Sequence, residues 1–255
     1  MVTKLVVVAH SDDETAGASK LLADHAGQLI ILHATDSAPM NPGYARRAGF
    51  ESRDEYRIAR RSELLAAMAL AKIPPSQCLE TERPVADLDA GRNIPTIARA
   101  IAEVLGRHSQ IDCLYTHAYE GGHPDHDAVA LAARLASDAC RRPVALLEFP
   151  EYHAASGSLT VGVLIPRPDT ESTKFALTPA EQSRKKKMLA CFVSQRRILD
   201  SFPLEVESLR LAPRYDFSAP PHPGTLYYET RPMGWTGEGW RQLACEALNQ
   251  ETPSE

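Results

Sequence analysis

At 255 residues the chain is long enough to bury a sizeable core, as one large α/β domain or two small ones. A formal net charge of −5 and the lack of a long basic arm argue against a nucleic-acid-binding protein. Five scattered cysteines (Cys78, Cys113, Cys140, Cys191 and Cys245) form no Cys-x-x-Cys pair, so they read as reduced thiols of a cytoplasmic protein, neither a disulfide frame nor a cysteine zinc site. No signal-peptide pattern follows Met1, and no stretch approaches the roughly 20 apolar residues of a transmembrane segment.

In chain order, Lys4-Leu5-Val6-Val7-Val8 reads as a buried parallel strand that stops at His10-Ser11-Asp12-Asp13-Glu14, with a helix from Thr15. Residues 28–35 form a second buried strand. Residues 36–49, with Pro39, Pro42 and Gly43, read as a loop, and residues 53–72 as an amphipathic helix ended by Ile73-Pro74-Pro75. A short strand at 77–80, a loop at 83–89 and a helix at 94–106 follow. Next come an apolar run at 111–115, a helix from Pro124 to about 139 and a strand at 143–149. Strands alternating with helices predict a Rossmann-like, mostly parallel sheet covered on both faces. The first strand lacks a following Gly-x-Gly-x-x-Gly, so a dinucleotide site has no support.

Beyond residue 150 the pattern is less regular. Residues 158–166 read as a strand, and Thr178-Pro179-Ala180-Glu181 is a capping box opening a helix to about 199. Within that helix Arg184-Lys185-Lys186-Lys187 reads as a solvated face. The proline-rich tail from 211 to 224 is expected to wrap the sheet as loop, before a last helix at 240–248. No repeat or linker divides the chain, so 1–255 is expected to be a single domain, with 1–150 carrying the site and 151–255 completing the substrate pocket.

In open α/β sheets, ligands bind at the carboxyl ends of the strands. His10, Asp12, Asp13 and Glu14 fall there. His10 and Asp13, three apart on a turn, converge on one metal ion and leave Asp12 free as a base; the alternative is that the acids cap the following helix. A second strand end carries His117-Ala118-Tyr119-Glu120-Gly121-Gly122-His123-Pro124-Asp125-His126, with His123 and His126 on one side of a helix start.

Together, His10-Ser11-Asp12-Asp13-Glu14 and Gly122-His123-Pro124-Asp125-His126 resemble the two motifs of the LmbE/PIG-L family of zinc-dependent de-N-acetylases, with Ser11 where the family has proline. That family acts on N-acetylglucosaminyl conjugates. The resemblance implies one zinc per chain on His10, Asp13 and His126, the three-ligand set of a catalytic site, although imidazole ligands also suit iron. It implies Asp12 as general base and His123 as the group that stabilises the oxyanion and protonates the leaving amine, with Asp125 holding His123 cationic. Arg60 and Asp87 resemble positions that hold sugar hydroxyls, and His222 resembles a late histidine that reaches the site. Against these stand plainer readings: Arg60 as a helix-surface arginine, Glu14 as a cap or outer partner, His117 as a polar edge residue. Tyr119 and Glu120 either line the pocket or lie exposed. The implied partner is a small amino-sugar conjugate, and nothing excludes a homo-oligomer. Amide hydrolysis of a thiol-conjugated sugar and metal-dependent phosphoester cleavage are the competing activities.

Overall fold

The computed structural model describes residues 1–250. Its elements in chain order are β1 (Lys4–Val8), α1 (Asp13–Asp24), β2 (Leu29–Pro39), α2 (Pro42–Arg47), α3 (Arg53–Leu70), β3 (Cys78–Asp87), α4 (Ile94–Arg107), β4 (Cys113–His117) and α5 (Pro124–Ala139). There follow β5 (Ala145–Phe149), β6 (Tyr152–His153), β7 (Thr160–Val161), β8 (Ser172–Ala176), α6 (Pro179–Leu189), α7 (Arg196–Leu199), β9 (Val206–Leu211) and α8 (Gly237–Gln250). Seven strands form one sheet in the order β3-β2-β1-β4-β5-β9-β8. The first five are parallel; β9 and β8 join antiparallel at the far edge.

Both sheet faces are covered, which is why β1 has no polar alternation. Leu5 and Val7 pack with Ile97 and Ile101 of α4, Leu131 of α5 and Trp240 of α8. Val6 and Val8 point the other way, to Leu22 of α1, Leu64 of α3 and Met188 of α6. No helix among the described residues is long and apolar enough to cross a membrane.

Several boundaries differ from the sequence reading. Residues 36–49 are not a loop: β2 continues to Pro39, and α2 starts behind an Asn41 cap that accepts the Gly43 N–H at 2.9 Å. β3 runs on to Asp87 through two register shifts against β2, and Pro84 is tolerated because β3 is an edge strand. Of residues 158–166 only Thr160–Val161 is strand, paired with β6 in a separate hairpin. The helix expected to reach 199 ends at Leu189 and resumes as α7. β8 and β9 were not legible as strands.

The cationic run also needs correcting. Lys186 and Lys187 are exposed, but Lys185 is 1 % exposed, with Nζ 3.0 Å from Glu207 Oε1. Glu207, on β9, also accepts from Ser19 N, Ser19 Oγ and Lys20 N. Those donors come free where α1 loses helical geometry at Ala18. Glu207 thus ties the second half of the chain to the helix that follows the first motif, with Lys185 as its buried counter-charge. Lys185→Met is expected to cost about 3–5 kcal/mol, because Glu207 keeps its Ser19 and Lys20 donors but loses its buried counter-charge, a loss that urea unfolding would measure.

Candidate metal centre

The first motif turns out of β1 at the sheet's carboxyl edge. Asp13 Oδ2 accepts the His10 N–H at 2.7 Å, which folds the turn back on itself. Ser11 carries an N–H that proline would lack, and it is donated to Ser37 Oγ at 2.8 Å. Glu14 is fully buried and accepts from Asp12 N, Thr15 Oγ1 and His33 Nε2, so it pins the backbone beneath Asp12. The second motif arrives from β4. Gly122 is required there, because a Cβ would sit 1.8 Å from the Tyr152 carbonyl oxygen. Pro124 opens α5 and sets His126 one turn from His123.

The predicted ligands come together. Asp13 spans the two histidines, with Oδ2 3.4 Å from His10 Nδ1 and Oδ1 3.3 Å from His126 Nε2. Three overlapping donor sets have their ligand atoms within 4.8 Å of one another: His10–His123–His126, Asp13–His117–His126 and His10–Asp87–Asp125. Buried imidazoles around a carboxylate held well below its usual range match what a divalent ion requires; burial would raise Asp13, but His126 and His10 outweigh it. Burial drives His126 down to about 4, so it presents a lone pair.

Asp12 lies beside this set. Burial pushes its carboxyl up to about 7, against the pull of the Arg60 guanidinium, whose Nη2 is 3.3 Å from Asp12 Oδ1. Arg60 is 2 % exposed and therefore not a helix-surface residue. Asp87 Oδ1 is 3.2 Å from His10 Nε2 and 3.9 Å from His123 Nε2. Burial alone would raise the Asp87 carboxyl, but His10 beside it carries it down to about 2. His10, Asp12, Asp13, Arg60, Asp87, His123 and His126 line one cavity of about 200 Å³, with Tyr44, Tyr56, Glu151, Tyr152, Phe202 and Met233 among its other walls.

Two expectations change. The Asp125 carboxylate does not hold His123 as a cation. It accepts from Leu88 N at 2.6 Å and Ala90 N at 3.1 Å, and meets His10 Nε2 at 3.2 Å. His123 receives only the Asp125 backbone N–H, at Nδ1, and burial lowers its pKa to about 3, leaving a neutral imidazole with Nε2–H. His222 is buried outside the cavity wall, bonded to the Pro223 carbonyl and 6.5 Å from the His153 ring. The Asp125 carboxylate thus meets the His10 ring and not that of His123. Asp125→Asn is expected to weaken metal binding about 10–100-fold, checked by competition with a metal indicator.

His117 belongs to the site. Its ring stacks on His126 at 4.2 Å, and its Nε2 accepts the Ala9 N–H at 2.9 Å and lies 3.3 Å from Asp13 Oδ2. Tyr119 and Glu120 are buried, but neither lines the cavity. Glu151 and Tyr152, which do, follow β5 with no local pattern to mark them.

The chain belongs to the PIG-L family, GlcNAc-PI de-N-acetylase, whose model matches residues 5–137. No curated protein gives a significant match. Among solved structures it is similar to a deacetylase of teicoplanin biosynthesis (TM-score 0.66, 17 % identity, 84 % of this chain and 99 % of that one), an enzyme also solved in a zinc-inhibited form. It is also similar to the 4-carboxy-2-hydroxymuconate hydratase of Pseudomonas putida (0.56, 18 %, 84 % and 98 %). The N,N'-diacetylchitobiose deacetylase of Pyrococcus horikoshii is a third (0.54, 14 %, 83 % and 84 %). At these identities the likeness is one of fold.

Proposed function

We propose that this chain hydrolyses the N-acetyl amide of an N-acetylglucosamine-type conjugate, releasing acetate and a free amine, with one zinc held by His10, Asp13 and His126. The observation that carries the reading is a buried carboxyl, Asp12, poised near neutrality beside a His–Asp donor set in a cavity sized for part of a small molecule. Zinc bound there supplies a Lewis acid that polarises the amide carbonyl and acidifies water.

The remaining work falls to the chain. Asp12 takes a proton from the attacking water, and Arg60 holds that carboxylate in place. As the water oxygen bonds to the carbonyl carbon, His123 donates its Nε2–H toward the developing negative charge. Asp12 then returns its proton to the leaving nitrogen as the C–N bond breaks, a role that a neutral His123 does not fill. Asp87 and Tyr44 line the cavity and supply the hydroxyl contacts in this reading.

The test is acetate release from a panel of N-acetylglucosaminyl compounds, using chelated protein with and without added zinc. Zinc-dependent acetate is the expected result. A chain that takes up metal and releases acetate from no member would overturn the reading, with hydration of an unsaturated acid the next activity to assay.

A further inference from the structure

Glu151 stands out among the cavity residues. It is 1 % exposed and lies just past Pro150 at the end of β5. Its backbone is fixed on both sides: its N–H goes to Glu120 Oε2 at 3.0 Å, and its carbonyl accepts the Gly162 N–H at 2.8 Å. Its side chain, by contrast, makes no hydrogen bond among the described residues, and Oε1 is buried without a partner there. Gly17 of α1, next to the cavity residue Ala16, packs first against the Phe149 ring, and a Cβ there would also lie 2.8 Å from Glu151 Oε1. A buried polar atom without a partner costs stability, and on a cavity wall a bound ligand is the group that can supply that partner.

We propose that the Glu151 carboxyl is a substrate contact, hydrogen-bonding a sugar hydroxyl on the Ala16 side of the cavity. This rests on the amino-sugar reading above. Burial, reinforced by the negative charges of Asp13, Asp12 and Glu120, holds the carboxyl well above its usual range. A carboxyl meets a hydroxyl as an acceptor, and also as a donor when it carries its proton. It follows that glutamine substitutes for it and leucine does not.

The experiment uses zinc-loaded wild type, Glu151→Gln and Glu151→Leu, with metal content, thermal melting, kcat and KM for acetate release, and calorimetric affinity for methyl glucosaminide. For Glu151→Leu the expected result is a rise of about 10-fold in KM and a matching loss of affinity, with kcat changed far less. Glu151→Gln should stay within about threefold of wild type on the same measures. Glu151→Leu should not melt below wild type, because removing an unpartnered carboxyl relieves a cost, and Glu151→Gln, which keeps a polar group of the same size, should melt close to wild type. Unchanged affinity in Glu151→Leu would overturn the proposal alone. A variant that fails to fold or loses metal would also overturn it, by showing a structural carboxyl. A metal-loaded wild type that neither binds the glucosaminide nor releases acetate would overturn this proposal and the amino-sugar reading together.

Discussion

Asp12→Asn is expected to bind one zinc per chain and to lose roughly 10²–10⁴-fold in acetate release. Asparagine keeps the shape of the side chain but has no proton affinity to use on water. The ligand set should survive, since the shortest contacts of Asp13 are to His10, His117 and His126, not to Asp12. Arg60 is the residue that feels the change. Its guanidinium is buried, and the next acid, Glu63, stands 3.8 Å from Nη1. Some loss of stability should therefore accompany the loss of turnover, and melting should be measured beside metal content. Stoichiometric metal with no turnover fits Asp12 as the base. Loss of the metal in this variant would instead place Asp12 among the groups that hold it.

What the sequence made legible follows from what is local. β1 announces itself because both its faces are buried, and the first motif because His10 and Asp13 lie three apart on one turn. His123 and His126 share a helix start for the same reason. β9 escaped because its pattern is VESLRL: Glu207 and Arg210 are buried but charged, and their partners, Lys185 and Glu148, lie far away in sequence. Hydrophobic periodicity cannot register a strand whose inward positions are ions. β8 is mostly exposed, with Phe175 its half-buried apolar residue, too little to mark a strand. Lys185 reads as surface for the same reason in reverse, since only the folded chain supplies Glu207.

The site shows the same division. Arg60 reads equally well as a solvated helix residue until α3 packs it against Asp12. The role given to Asp125 was misplaced because adjacency along α5 suggests His123, whereas the turn at Leu88–Ala90 draws the carboxylate toward His10. Glu151 and Tyr152 depend on where β5 ends relative to α1, a distance no local window contains.

His126→Ala is expected to do what Asp12→Asn does not, namely abolish tight metal binding and activity together. His126 joins two of the three donor sets, and its Nε2 faces Asp13 Oδ1 at 3.3 Å. Without it, His10 and Asp13 remain as two ligands, fewer than a catalytic zinc normally keeps. The affinity loss should exceed the 10–100-fold that removing an outer partner such as Asp125 typically costs. His117 does not rescue the set, because its Nε2 already accepts the Ala9 N–H. Metal titration of the two variants side by side separates the roles. If His126→Ala retained one zinc per chain and released acetate normally, the ion would have to be held elsewhere in the cluster, and His10–Asp87–Asp125 would be the set to mutate next.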